Sequence, residues 1–432
     1  MRFKASKYTA ENIKKNSIPQ IVFHWFILFG FIFELPIWGF ITSRRLCTVY
    51  AICILFIKSK ATKRVLQLFK KSNLLYAAIL FAFCSSICAI NNIGLERIET
   101  NIYYEVHYFL FQILYIVVWG IFCVVEFKDV MYFAKIFVSI MIFQSLIAYI
   151  ALVNKPFRMF VYNNLYFSAT DFSSMIEWGT RVVGIDLAGS LGSVILFTGC
   201  AVLLYVRLTE RISVNQFIIS YMIILVASFF IGRTGFYLSL AFLLLYFFLE
   251  KNFIKKMVSF VVIGILAIIV LQALLSQVSP DIAKLLVSWA TELFNANTRF
   301  DTFDAIAEME VPKFSQEMIF GTNVYRGRTP LGQIMDSDSG YAKLYCSIGV
   351  IGAICYYLSY VILFFSIKIK RKKVIKWFFM ALIAVAFVIE YKEPYFHKYI
   401  YAFSTMTLLL FNAAEESKYG NNKEKEKNFG KI

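Results

Sequence analysis

The chain has 432 residues and a formal net charge of +17; 59% of its residues are hydrophobic, 18% aromatic and 16% charged. A soluble domain carries about a quarter charged residues, so this composition, with a mean hydropathy of +0.67, argues against an ordinary globular fold. The basic excess sits mostly in short links between apolar runs, which speaks against nucleic acid as its target and matches basic loops retained on the cytoplasmic side of a membrane.

The elements follow in chain order. Arg2, Lys4, Lys7, Lys14 and Lys15 precede a first apolar run at 21–42. That run is longer than a signal-peptide core and has no small-residue cleavage site, so it reads as a retained span. Further spans are expected at 43–57, 73–90, 106–126, 131–152, 187–206, 213–231, 233–250, 257–275, 341–367, 374–391 and 396–413. Each approaches the roughly 20 apolar residues a helix needs to cross a bilayer. The second is the weakest, because Arg44 and Arg45 open it. The expected fold is therefore all-α and polytopic, with about twelve transmembrane helices.

Orientation follows from Lys and Arg. The clusters Lys58–Lys71, Arg207 with Arg211, Lys251–Lys256 and Lys368–Lys376 are separated from one another by even numbers of spans. All of them can then face the cytoplasm, together with both termini. Arg44 and Arg45 are the exception, a basic pair on the outer side. The tail at 414–432 is polar and mixed in charge, and is expected to be disordered and cytoplasmic.

The chain thus divides into nine spans over 1–275, an outer loop at 276–340, three spans over 341–413 and the tail. A medium outer loop at about 154–186 interrupts the first group. The large loop has a net charge of −4, opposite in sign to the inner loops. It reads as structured. Ser279-Pro280 is a good helix start, followed at helical spacing by Ile282, Leu285, Leu286, Trp289 and Leu293. A second amphipathic stretch opens at Arg299.

Several residues stand out as candidates for chemistry. Arg233 lies in Gly232-Arg233-Thr234-Gly235 at the midpoint of an apolar stretch long enough for two spans. With no hydrophilic loop around it, it falls at the outer edge of the bilayer, where an unpaired charge is costly. A guanidinium there can grip a phosphate through two parallel hydrogen bonds; the plainer reading is an arginine snorkelling from a helical hairpin. Arg181 and Asp186 precede the sixth span in WGTRVVGIDLAGS and fit a phosphate or a sugar, or simply a solvated loop edge. Arg299, a cation at a helix start, gains nothing from the helix dipole, which suggests another purpose. Asp338-Ser339-Gly340-Tyr341 closes the large loop, where Asp338 can cap the following helix or serve as a carboxylate near a reaction centre. The glycines after it, in SIGVIGA, suit close helix packing. Arg326 and Arg328 lie in a Gly- and Pro-containing turn that can bind anions.

Other chemistry is not supported. His24, His107 and His397 are scattered, and no His, Cys and carboxylate cluster has metal-ligand spacing. The eight cysteines, Cys47, Cys53, Cys84, Cys88, Cys123, Cys200, Cys346 and Cys355, form no Cys-x-x-Cys pair and read as small packing residues. No nucleophile elbow, phosphate loop or dinucleotide fingerprint occurs. Neither a cofactor nor a metal is expected.

These features resemble the Wzy-type O-antigen and capsule polymerases, which form a wider group with the O-antigen ligases. The resemblance rests on the span pattern, the late outer loop, the arginine-bearing Gly232–Gly235 hairpin, Arg299 before an aromatic-rich stretch, and Asp338–Tyr341 followed by SIGVIGA. It implies a GT-C-like, metal-independent glycosyltransferase in a bacterial plasma membrane. Such an enzyme moves a growing glycan from undecaprenyl diphosphate onto a new lipid-linked repeat unit, in a single inverting displacement on the outer face. Lipopolysaccharide, capsule or exopolysaccharide would be the product. Within that scheme the residues singled out above are the candidates: Arg233, Arg299 and Asp338 for the chemistry, and Arg181, Asp186, Ser339, Tyr341, Arg326 and Arg328 for substrate binding. Arg181 is a further cation for the diphosphate, and Asp186 is the next choice of base after Asp338. Its partners would be the lipid-linked glycans, membrane lipid, a chain-length regulator and a flippase. Ligases carry a histidine in the large loop; this loop has none, which favours polymerase. A flippase or secondary transporter is the other class with such hydropathy, but it would show repeats and charges at mid-membrane depth.

Overall fold

In the computed structural model the described residues are 17–38, 41–92, 101–165, 182–185, 189–249, 269, 309–367, 369, 373–396 and 399–429. They are mostly helical. In chain order the helices are α1 (Ile18–Ile32), α2 (Ser43–Ile57), α3 (Ser59–Leu66), α4 (Lys71–Asn92), α5 (Asn101–Phe127), α6 (Val130–Val153), α7 (Lys155–Leu165), α8 (Gly189–Leu208), α9 (Val214–Ile231), α10 (Arg233–Leu249), α11 (Gly340–Phe364), α12 (Lys373–Glu390) and α13 (Tyr399–Phe429). The strands are two short hairpins, β1 (Pro36–Trp38) with β2 (Ile41–Thr42), and β3 (Gly327–Arg328) with β4 (Ile334–Met335).

Five stretches are long and apolar enough to cross a membrane: Lys71–Asn91, Phe109–Phe127, Val130–Val153, Val214–Ile231 and Gly340–Phe364. Ile18–Ile32, Gly192–Leu208 and Arg233–Phe248 are shorter apolar helices. Phe56, Ile57, Trp38 and Val388 point outward from the bundle, a surface suited to lipid rather than water.

Local chemistry sets the helix limits. The first apolar run does not continue as one helix to Thr42: α1 stops at Ile32 and Pro36 begins β1. Proline has no N–H and disfavours helix in the residue before it. Thr42 then caps α2 by accepting the Arg45 N–H at 3.4 Å. Ser213 and Gln216 form a capping box at α9, satisfying N–H groups that the first turn leaves open. Lys128 and Glu210 take positive φ, 61° and 59°, in the tight links from α5 to α6 and from α8 to α9.

The helices form one packed core. α11 lies on α4, α13 on α5, α8 against both α9 and α10, and α9 on α6. Trp119, Phe31, Phe133 and Phe403 are fully buried. Phe31 stacks on Trp119 with ring centroids 3.9 Å apart.

Contacts sort the helix ends into two poles. At one pole the Lys70 N–H donates to the Ser366 carbonyl at 2.9 Å, Lys58 and His24 both bind Glu126, and Arg211 binds Asp129 and Glu415. At the other pole the Asn91 amide donates to the Phe320 carbonyl at 2.8 Å and the Val182 N–H to the Phe230 carbonyl at 3.2 Å. Loops expected on one side of a membrane thus meet one another. The first will be called the basic pole and the second the loop pole. Arg44, the exception to the charge pattern, is neutralised at the loop pole by Glu34 and lies 4.1 Å from the Tyr399 ring centroid.

Two further expectations change. The tail is helical to Phe429 as the continuation of α13, since a Lys- and Glu-rich sequence has good helix propensity. The run at 341–367 falls on α11, which is broken at Gly349 (φ 73°, ψ −179°). The run at 257–275, the helix expected after Ser279-Pro280 and the stretch opening at Arg299 lie outside the described residues, apart from Ile269 and, at the end of that stretch, Met309 and Glu310. All eight cysteines are free.

Candidate functional site

The break in α11 creates the site. Tyr341 and Tyr357 are sixteen positions apart, which is about 24 Å along an unbroken helix. Their ring centroids are 5.0 Å apart. Two tyrosine side chains cannot span that difference, so the segment before Gly349 folds back along the segment after it. We call residues 340–348 the arm of α11.

Two glycines make the fold-back possible. Gly321 and Gly349 have φ of 82° and 73°, a region that side chains avoid. A Cβ on Gly349 would meet the Gly321 nitrogen at 2.4 Å. A helix break leaves carbonyls without their usual donors, and the loop supplies them. The Thr322 and Asn323 N–H groups donate to the Cys346 and Ser347 carbonyls, each at 2.8 Å. Of the glycines in SIGVIGA, Gly349 therefore serves the break, while Gly352 is buried against α4, where its carbonyl accepts from the Cys84 thiol at 3.4 Å.

At the base of the arm lies Glu390, the last residue of α12 and 1% exposed. It accepts hydrogen bonds from the Tyr357 hydroxyl at 2.9 Å and from the Tyr395 and Phe396 N–H groups at 2.6 and 2.9 Å. Gly340 packs on it so closely that a Cβ there would come within 2.2 Å of Glu390 Oε1. The arm is also held by the Tyr341 hydroxyl, which donates to the Phe387 carbonyl at 2.8 Å.

Charged groups gather around this junction. Lys343 Nζ, on the arm, is 3.8 Å from Asp338 Oδ1 and 5.1 Å from the Tyr325 ring centroid. Glu393, Arg326 and Asp336 lie near enough to act on its charge. Lys392 Nζ donates to Thr234 Oγ1 at 3.1 Å, which ties the turn after α12 to the hairpin between α9 and α10. That hairpin is pressed onto the start of α8. A Cβ on Gly232 would meet the Gly189 carbonyl oxygen at 2.3 Å, and one on Gly235 the Ser193 oxygen at 2.0 Å.

The expected site residues fall as follows. Arg233 is exposed at the start of α10, beside Thr234. Asp338 does not cap α11. Ser339 holds the N-cap position without a side-chain cap bond, and Asp338 faces Lys343 because the arm brings that cation to it. Ser339 is buried and its N–H donates to Ser337 Oγ at 3.2 Å. Arg326 places Nη2 and Nε 2.9 and 3.1 Å from Asp336 Oδ1, while Arg328 is exposed on β3. Arg181, Asp186 and Arg299 lie outside the described residues, although Val182 and Gly189, which flank the first two along the chain, both pack at the α9–α10 hairpin.

Sequence reasoning missed Lys343, Tyr357, Glu390, Lys392 and Glu393. A signal existed: acids and lysines inside or bordering an apolar run are expensive and seldom idle. It also missed Arg158 in α7, which is buried and donates to the Ala151 and Leu152 carbonyls at 3.3 Å. That arginine closes the end of α6, and burial holds its pKa below the usual arginine range.

Comparisons with protein-family models, with curated proteins and with solved structures give no match. What the residues define is an all-α protein with apolar helices suited to a membrane and a mixed-charge junction at its loop pole.

Proposed function

We propose that this protein is a polysaccharide polymerase of the O-antigen and capsule type, a GT-C-like enzyme with about twelve spans in a bacterial plasma membrane. It joins undecaprenyl-diphosphate-linked repeat units on the outer face, which is the loop pole. The observation that carries the reading is convergence. The Arg233 hairpin and the Asp338–Tyr341 segment, more than a hundred residues apart, are joined through one turn, by Thr234 to Lys392 on one side and by Gly340 to Glu390 on the other.

The chemistry suits these groups. An acceptor sugar hydroxyl attacks the anomeric carbon of the donor glycan, forming one C–O bond as the bond to the diphosphate oxygen breaks. The lipid diphosphate leaves with the electron pair, and its developing charge needs fixed cations in a low-dielectric setting. Arg233 has that role, with Lys392 bonded to the adjoining Thr234 and Lys343 facing Asp338 on the arm. The hydroxyl proton passes to a carboxylate, for which Asp338 is the choice. Arg326 acts on the charge of Lys343, Ser339 and Tyr341 adjoin Asp338 along the chain, and Arg328 remains a candidate from its place in the same outer loop.

One observation favours a second reading. A helix broken near a buried carboxylate also occurs in transporters, whose sites use discontinuous helices; the cargo would then be the same lipid-linked glycan. Deleting the gene and resolving the glycan by electrophoresis separates the classes. Loss of the long-chain ladder with a single repeat unit still attached supports polymerase; loss of all attached chains indicates a ligase, and repeat units held on the inner face a flippase. Arg233→Ala should abolish the ladder while the protein stays in the membrane. Arg233→Lys should be impaired as well, because an ammonium lacks the two-pronged grip. Normal ladders from Arg233→Ala would remove that residue from the site.

A further inference from the structure

We infer that Glu390 is a positioning residue: its buried carboxylate clamps the folded-back arm of α11 and the Lys392–Glu393 turn into one rigid junction, and so sets the distance between the Arg233 hairpin and the Asp338–Tyr341 segment.

Three segments meet at this side chain. Tyr357 belongs to the part of α11 after the break, Gly340 to the start of the arm, and Tyr395 and Phe396 to the turn that leads into α13. Oε1 takes the Tyr357 hydroxyl and faces Gly340, while Oε2 takes both N–H groups of the turn. Both oxygens are thus occupied by protein donors, and the residue is 1% exposed. Such a group is poorly placed to meet a substrate and well placed to hold its neighbours. Tyr360 and Gln112 reinforce the turn, each donating to the Phe396 carbonyl, at 3.0 and 3.2 Å. Lys392 lies two residues beyond Glu390, so the clamp fixes the backbone from which Lys392 reaches Thr234.

Geometry distinguishes a clamp from a proton carrier. A glutamine at 390 has nearly the same shape. Its amide oxygen can accept both turn N–H groups, and its NH2 can donate to Tyr357, whose hydroxyl accepts as readily as it donates. Glutamine therefore preserves a clamp and abolishes any role that needs a carboxylate. Alanine removes the clamp and strands two buried backbone donors.

The activity arm of the test rests on the polymerase reading; the structural arm does not. Thr234→Cys with Lys392→Cys, on the full-length protein in its membrane, is treated with a short bifunctional thiol reagent, and the linked peptide is quantified by mass spectrometry. Cross-linking should be high with Glu390 or Glu390→Gln and fall at least about tenfold with Glu390→Ala, given what stranded buried donors cost. In separate strains without the cysteine pair, Glu390→Gln should keep the long-chain ladder and Glu390→Ala should lose it. Unchanged cross-linking in Glu390→Ala, at normal protein levels, would overturn the clamp. So would a Glu390→Gln variant that cross-links normally but makes no product, since the charge or a proton would then be what matters. If cross-linking follows expectation while gene deletion leaves the ladder intact, the clamp stands and the polymerase reading falls.

Discussion

Gly235 stands where no side chain has room. A Cβ there would lie 2.0 Å from the Ser193 carbonyl oxygen and 2.2 Å from its carbon, both backbone atoms that cannot rotate away. Gly332 is the contrast: it has φ 78° with open space around it, so alanine there meets only backbone strain of about 1–2 kcal/mol. Gly235→Ala should cost about 3 kcal/mol or more, as overpacked sites do, and thermal unfolding in detergent should show a much larger drop for it than for Gly332→Ala. Equal drops would mean the hairpin is not seated on α8. At this scale the sequence was partly legible. Arg233 and its flanking glycines stood out because a charge interrupted an apolar stretch, and Asp338 because it borders a span. Lys343 and Lys392 did not, because a lysine at a span edge looks the same whether it faces lipid headgroups or a site.

Helix α11 carries the main lesson at the scale of the element. Its length and hydropathy satisfy every criterion for one straight span, yet Gly349 splits it. The signal was in the sequence, as two glycines three residues apart, but glycines in an apolar helix serve close packing as often as breaks. What decided between the two was the Gly321 segment supplying donors to the freed carbonyls, about thirty residues away along the chain. Gly349→Ala must adopt a disfavoured positive φ or straighten the helix. The first costs about 1–3 kcal/mol, typical of a strained backbone position, and would also meet the Gly321 nitrogen at 2.4 Å. The variant should therefore show a lowered unfolding temperature together with loss of product. A variant as stable and active as the parent would show that the break is dispensable.

For the molecule as a whole, the two poles make orientation testable. Lys63, in the basic α3, belongs to the pole read as cytoplasmic, while Leu331, 55% exposed between β3 and β4, belongs to the other. In intact cells a membrane-impermeant maleimide should label Leu331→Cys but not Lys63→Cys. Permeabilised cells should label both above the background of Cys53, the exposed native thiol. The opposite pattern would invert the topology and move the proposed chemistry to the cytoplasmic side.

The sequence by itself determined that the chain is helical and apolar, where most of its described helices run, and which of the described loops meet one another. Those properties are summed over neighbouring residues, so they can be read along the chain. Only the tertiary structure decided that α11 folds back, that Asp338 faces a lysine instead of capping a helix, and that Arg44 is neutralised by Glu34. It alone brought Thr234, Gly340, Tyr357 and Glu390 to one junction. The physical reason is that the fold-back and the junction depend on contacts between segments tens to hundreds of residues apart, while the Asp338–Lys343 and Glu34–Arg44 pairs depend on how a local turn aims its side chains; hydropathy and local propensity carry no record of either.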